Sequence, residues 1–343
     1  MAKEIENILV TGGAGYIGSH TILCLLQKGY NVTALDNLSN GSIESLARIQ
    51  LITGVPIKNY KVDLTDECSV SNAFKENSFD AVIHFAGLKA VSQSVIEPLT
   101  YFNNNVYGSL VLLKQAIKHK VQKFVFSSSA TVYGCEAASP YKESLPRGTT
   151  SNPYGASKAM VEHMLEHVSE ANPEMNINIL RYFNPIGAHF SGLIGEDPLG
   201  LPNNLMPFLL QVAVGNRNVL PVFGGDYDTP DGTCRRDYLH VMDLAEGHVS
   251  ALSKTDVSGC FIYNLGTGVP LSVLEIIKSF ESVTKIKIPY KIMDRRVGDL
   301  AEFWADPTKA NIELNWQTKR SLDDMISDSW NWQSKNPFGY KKK

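Results

Sequence analysis

Through its first half the chain alternates short, almost wholly apolar runs with longer stretches whose apolar residues recur every three or four positions. The runs at 7–11, 31–36, 57–63, 80–85, 123–128 and 176–181 are β-rich and show little polar alternation. That is the pattern of strands buried on both faces of a parallel sheet. Between them, 15–28, 43–53, 70–76, 101–119 and 153–171 read as helices. Strand and helix in turn predict an α/β body with a doubly wound parallel sheet.

From about Asn184 the texture changes. Loops rich in Gly, Pro and Asn at 187–204 and 224–233 surround shorter helical patterns at 205–215, 271–284 and 321–334. A fresh strand-like run at 261–265 predicts a return to the main sheet. The expected division is 1–183 for a doubly wound domain of Rossmann type and 184–343 for a smaller, interwoven α/β domain, with segments near 235–265 rejoining the first. The lysines at 341–343 read as a frayed, solvated end.

Composition narrows the function classes. With 43% hydrophobic and 20% charged residues the 343-residue chain reads as a soluble globule with ample core. A formal net charge of −3 offers no bulk attraction for nucleic acid or an anionic membrane. No apolar run approaches the length of a membrane span, and the polar start is unlike a secretory leader. Cys24, Cys68, Cys135, Cys234 and Cys260 form no C-x-x-C pair, which suits reduced thiols in the cytoplasm. Neither a nucleic-acid nor a membrane partner is expected.

Two motifs carry chemistry. Thr11-Gly-Gly-Ala-Gly-Tyr-Ile-Gly18 follows the first strand and opens an apolar helix. Gly12, Gly15 and Gly18 permit a tight turn and a close approach to a pyrophosphate, for which the helix N-terminus supplies oriented N–H groups. Asp36 ends the second strand, where a carboxylate accepts ribose hydroxyls and favours NAD over NADP. Asp63 ends the third strand within reach of an adenine amino group, and the small residues of 84–89 let the backbone approach a cofactor. Farther on, Tyr154 and Lys158 lie four apart on one helical face. A neighbouring ammonium favours the phenolate, so the pair is expected to act as a general base on an alcohol. Ser129, at the end of the fifth strand, is a candidate hydroxyl partner of the reacting oxygen.

With these motifs together the chain resembles the extended short-chain dehydrogenase/reductase family, and within it the branch that epimerises nucleotide sugars. The resemblance runs through 11–20, 84–91, 126–134, 180–188, 192–211 and 235–247, with Gly298-Asp299 and Trp330-x-Trp332 in agreement. It implies that Tyr154 is catalytic base and acid with Ser129 beside it, and that Lys158 bridges the nicotinamide ribose. It implies a tightly bound NAD held by Gly12, Gly15, Tyr16, Ile17, Gly18, Asp36, Asn37, Asn40, Asp63, Leu64, Phe85, Ala86, Lys89, Asn104, Ser127, Lys158 and Tyr182. A UDP-sugar would meet Ser129, Ala130, Thr131, Tyr154, Phe183, Asn184, Asn204, Leu205, Tyr238 and Phe303. Arg236 and Arg296 would neutralise its diphosphate, Phe223 would face uracil, and Asp299 would accept ribose hydroxyls. The implied reaction is reversible interconversion of UDP-glucose and UDP-galactose at C4, through a 4-keto sugar and enzyme-bound NADH, in galactose metabolism. The implied assembly is a homodimer in which helices 101–119 and 153–171 pair as a four-helix bundle.

Departures and rivals are few. Ser92-Gln93 replaces a Gly-Glu pair frequent in the family. At position 303 a small residue goes with acceptance of N-acetylated sugars and tyrosine with their rejection, so Phe303 implies poor use of UDP-N-acetylglucosamine. A nucleotide-sugar 4,6-dehydratase would place an Asp-Glu pair beside the hydroxyl residue, where this chain has Ser128-Ser129-Ala130. A non-catalytic NAD-binding regulatory homologue would not need Ser129, Tyr154 and Lys158 intact. His163 and His167 lack the His-Glu-x-x-His order, so no metal is expected. No Gly-x-Ser-x-Gly elbow surrounds Ser129, which excludes an acyl nucleophile there.

Overall fold

The computed structural model describes residues 6–254, 258–296 and 298–341, so the last two lysines of the tail lie outside the described residues. Seven strands form the central sheet: β1 Asn7–Thr11, β2 Asn31–Asp36, β3 Lys58–Lys61, β4 Ala81–His84, β5 Lys123–Ser127, β6 Asn176–Tyr182 and β7 Gly259–Leu265. All pair in parallel, in the order β3-β2-β1-β4-β5-β6-β7. The order in which successive strands are added reverses between β1 and β4, and crevices that bind ligands open at such a point, outside the carboxyl ends of the strands.

The apolar runs look continuous because both faces are covered. Ile8 and Val10 of β1 pack on one side with the helices Tyr16–Gln27, Ile43–Thr53 and Val241–Ser253. Leu9 packs on the other with Glu67–Lys75, Gly108–Lys118 and Pro153–Ala171. In β5, Phe124 and Phe126 take the second face and Val125 the first. A period of two with apolar residues on both sides therefore reads as one unbroken run.

Two expectations change in the structure. The helix expected at 101–119 begins at Pro98, passes through a wide π-helical turn over Phe102–Tyr107 and continues as Gly108–Lys118. Such turns concentrate at functional sites. Here the turn carries buried Asn105, whose side chain bonds both Leu88 backbone groups (2.8 and 3.0 Å) and the Ser157 hydroxyl (2.9 Å). The helix Val241–Ser253 was not anticipated, although Val241, Leu244, Ala245, Val249 and Leu252 recur at helical spacing and its residues that are not buried, Glu246, Ser250 and Ser253, share the other face.

Beyond the sheet, Arg235–His240 pairs in parallel with Asn184–Ile186 and Glu302–Phe303, and antiparallel with Pro270–Ser272. Leu220–Phe223 pairs with Tyr290–Met293. Leu209, Val222, Ile276, Phe280 and Ile326 form the separate core beneath them, drawing in the helices Leu205–Ala213, Val273–Thr284 and Leu322–Lys335. Reciprocal capping pairs, Ser272 with Glu275 and Ser321 with Asp324, start the last two.

Three histidines are buried within the main body. Burial lowers His20 and His84 to about 3 and His248 to about 4. Each is neutral when folded and takes up a proton more readily when unfolded, so its contribution is complete above pH 6.5 and declines as pH falls toward the folded value. The loss is about 1.4 kcal/mol per group for each pH unit. Urea unfolding should therefore show a steep fall in midpoint between pH 6.5 and pH 5. Replacing His248 with Gln should flatten it; an unaltered slope would contradict the assignment.

Candidate active site

The glycine loop joins β1 to the helix Tyr16–Gln27. Gly12 has φ +68°, and a Cβ there would stand 2.7 Å from the Ala86 nitrogen. A Cβ on Gly18 would land on the Gly12 carbonyl. Gly15 caps the helix without a side chain, leaving its first N–H groups free to meet an anion. At the end of β2 the Asp36 carboxylate accepts from Ala14 N (3.0 Å) and Leu38 N (2.8 Å), and burial raises its pKa above the usual range.

A cleft of about 460 Å³ runs along these loops. Its walls include Gly12, Gly15, Tyr16, Ile17, Gly18, Asp36, Asn37, Asn40, Leu64, Phe85, Ala86, Lys89, Asn104, Lys158 and Tyr182 from the expected cofactor set, together with Tyr154 and Asn204. Asp63 stands behind the wall and receives a bond from Asn37 Nδ2 at 2.8 Å. Ser127 donates to the Tyr182 hydroxyl at 3.1 Å. A close backbone cradle, a free helix N-terminus and a carboxylate at the end of β2 suit a dinucleotide.

Tyr154 and Lys158 reach the cleft from the helix Pro153–Ala171, which Asn152 caps through Gly155 N (2.8 Å). Tyr154 is only 8% exposed. Burial, aided by Tyr182, raises its phenol well above the ordinary value, while the Ser129 hydroxyl and Lys89 oppose the rise. Lys158 donates to the Ser127 carbonyl at 2.9 Å and lies over the Phe126 ring at 4.8 Å. Burial lowers it to about 8, against the attraction of Glu162. The expectation that the ammonium brings the phenol toward working pH is thus outweighed here by desolvation of the phenolate. Ser129 Oγ accepts from Thr131 N (3.3 Å) and Thr131 Oγ1 (3.0 Å), on the short turn that also carries Ala130.

The second half brings a separate group together. The Arg296 guanidinium lies over Phe223 at 4.9 Å and donates to Asp299 at 2.8 Å. Arg236 stands 3.7 Å from Asp299 and donates to the Leu300 carbonyl at 2.9 Å. Phe183 and Phe303 stack at 5.2 Å, with Tyr141 4.8 Å from Phe303. Asn184 pairs with Tyr238 across the small sheet. Asn204 precedes Leu205 at a helix start, and its side chain makes no cap there.

One part of the site escaped the sequence reading. Gly195, Glu196, Asp197, Pro198, Leu199 and Tyr340 also line the cleft. Glu196 pairs with Lys89 (3.1 Å), Leu199 N donates to Asn40 (3.3 Å), and Tyr340 N donates to Asp197 (2.8 Å). Arg48 ties the arrangement down, donating to Leu193 O (3.0 Å) and Asn336 (2.7 Å) and lying against the rings of Trp332 and Tyr340. Aromatics in a polar C-terminal stretch were the available signal, but nothing local indicated where they dock. His163 and His167 are exposed beside Glu166 and Glu170. Among the described residues no group of three or more His, Cys, Asp or Glu is arranged for a metal ion.

A model of the NAD dependent epimerase/dehydratase family matches residues 8–266. The UDP-glucose 4-epimerase of Neisseria meningitidis serogroup C is 55% identical over 337 residues, which cover 98% of this chain and 99% of that one. That of Bacillus subtilis is 56% identical over 335 residues, 97% of this chain and 98% of its own. The crystal structure of UDP-glucose 4-epimerase from Bifidobacterium longum in complex with NAD+ and UDP is similar with a TM-score of 0.94. It is 53% identical, and the match covers 97% of this chain and 99% of that one.

Substituting Gly18 with Ala should displace the loop from the helix start. The NAD carried through purification, read by absorbance and release on denaturation, should fall by about tenfold, the consequence of losing roughly 1.4 kcal/mol of binding. Full NAD content in the folded variant would contradict the cradle.

Proposed function

The chain belongs to the NAD dependent epimerase/dehydratase family, and we propose that it interconverts UDP-glucose and UDP-galactose by inverting C4 of the hexose. The observation that carries this is the placement of Tyr154, with the Ser129 hydroxyl acting on it, in the wall of the cleft that suits a dinucleotide. Bound NAD supplies a positive charge and the hydride acceptor through which C4 passes as a transient ketone, and it is restored in each cycle. As the phenolate, Tyr154 takes the proton from the 4-hydroxyl and returns it to the same oxygen, while the hydride goes back to the opposite face of C4. Ser129 donates to the same oxygen, and the Lys158 ammonium, with the positive charge of bound NAD, favours the phenolate that begins the transfer.

The nucleotide end is held by the second half of the chain. Arg236 and Arg296 neutralise the diphosphate, Phe223 packs on uracil, Asp299 accepts ribose hydroxyls, and Asn184 and Asn204 reach phosphate or sugar. Firm binding of UDP leaves the hexose free to turn over between the two transfers. Residues 1–183, backed by the returning helix Val241–Ser253 and strand Gly259–Leu265, hold the cofactor together with the segment 195–199 and Tyr340, and the remainder of 184–343 holds the sugar nucleotide. Phe303, wedged against Phe183 and Tyr141, fills the space that an N-acetyl group would need.

The helices Gly108–Lys118 and Pro153–Ala171 leave Leu110 and Met160 exposed, and Val95, Ile96 and Leu99 are exposed nearby. This supports a homodimer built on a four-helix bundle. Free thiols and UDP-hexose substrates suit a cytoplasmic enzyme of galactose metabolism. No helix among the described residues is long and apolar enough to cross a membrane.

Purified protein given UDP-galactose without added NAD should yield UDP-glucose, separated chromatographically; a 4-keto-6-deoxy product would indicate a dehydratase instead. The Tyr154→Phe variant should lose about 10²–10⁴-fold in kcat while keeping its NAD. Full activity in that variant would overturn the assigned base. Turnover of UDP-N-acetylglucosamine should be at least about tenfold lower than that of UDP-glucose.

A further inference from the structure

The helix Pro153–Ala171 places Tyr154, Lys158 and Glu162 at successive four-residue steps, on one stripe turned toward the end of β5. Glu162 is completely buried. Its carboxylate accepts from the Ser128 hydroxyl at 2.6 Å, from Arg181 at 2.7 and 3.0 Å, and from Arg147 at 3.3 Å. One turn earlier, Lys158 holds the Ser127 carbonyl. Consecutive turns of one helix therefore grip consecutive residues of one strand end, and the next residue of that strand end is Ser129. A buried ion pair of this kind is costly to desolvate and is often no more stabilising than well-packed apolar residues. Its cost is better matched to setting geometry and charge at the site.

The groups around Lys158 define its electrostatics. Glu162 faces it from the same helix and favours its charge. His84, at the end of β4, is held neutral between Thr11 (2.7 Å) and Ser109 (2.8 Å). Tyr154 lies one turn back with its phenol protonated, and buried Tyr182 is likewise raised. From β5 come the Ser127 carbonyl and the Phe126 ring. Arg181 on β6 and Arg147 in the preceding loop pair with Glu162, and Arg147 also pairs with Glu166.

We propose that Glu162 is a positioning residue for the reaction, fixing Ser129 against Tyr154 and supplying the negative charge that keeps Lys158 an ammonium. The inference rests on the role given above to Tyr154, Ser129 and Lys158.

Three variants separate charge from reach. Glu162→Gln keeps an acceptor for Ser128 and removes the charge, so Lys158 should lose its proton at lower pH. The alkaline limb of kcat should move down by about one unit. At neutral pH kcat should fall about tenfold with KM for UDP-galactose within about twofold. Glu162→Asp keeps the charge and shortens the reach, so kcat should fall while the limb stays. Glu162→Gln with Arg181→Gln avoids an unpaired buried guanidinium and should show the same limb shift should the single variant fail to fold. Side-chain ¹⁵N NMR of Lys158, assigned with Lys158→Met, should show the same downward shift without any substrate. That reading is independent of the proposed reaction, so absent turnover in the wild type would count against the reaction alone. Wild-type kcat, limb and Lys158 titration in the folded Gln variants would overturn the proposal.

Discussion

Parallel strand pairing is the constraint on which the rest of this structure depends. Each pair of parallel strands needs a crossover, the crossover helices cover both faces of the sheet, and only the edge where the strands end remains open. Much of the wall of the dinucleotide cleft lies at or just beyond that edge. The glycine loop follows β1, Asp36 closes β2, Phe85–Lys89 follows β4, and Tyr182, bonded by Ser127 at the end of β5, closes β6. The helix Pro153–Ala171 then lies beside the ends of β5 and β6 and adds Tyr154, Lys158 and Glu162.

Placing polar groups at the rim of a buried sheet makes desolvation the dominant electrostatic effect. His84 is held neutral between two hydroxyls, Asp36 is raised despite two backbone donors, and Lys158 is lowered despite a carboxylate one turn away. Tyr154 is raised by the same cause. The charge state of Tyr154 is therefore not preset by Lys158 alone, and it depends on every charge brought into the cleft. The Glu162–Arg181 pair belongs to this balance, because it puts a negative charge next to Lys158 without leaving a carboxylate unpaired.

The cluster in the second half of the chain is built differently. Arg236, Arg296 and Asp299 lie on short strands and loops, bonded to one another and to backbone carbonyls. Arg296 is exposed where Glu162 and Arg181 are not. Such a cluster can exchange its internal bonds for those of a ligand at little cost. Between the two sides, the segment 195–199 is pinned by Lys89, Asn40, Trp332 and Tyr340, with Arg48 beneath them. Residues from nearly the whole length of the chain meet there.

The strands, most of the helices, the glycine loop and the Tyr154–Lys158 dyad were legible in the chain because each is a short-range pattern. Apolar runs and four-residue spacing involve neighbours only, and Gly12 is needed by a backbone conformation that local sequence already requires. Resemblance to known proteins extended this to Arg236, Arg296, Asp299 and Phe303, whose joint position no spacing could indicate. Tertiary structure alone decided the rest. The helix Val241–Ser253, although its apolar residues recur at helical spacing, is set against the sheet face of Ile8 and Val10 only by the fold, and the π-helical turn aims Asn105 at Leu88 and Ser157. Arg48 meets Tyr340, and Glu162 meets Ser128 and Arg181, only once distant segments are packed. The sign of the Tyr154 shift follows the same division: spacing places an ammonium nearby, but burial sets the cost of charge, and burial belongs to the folded whole.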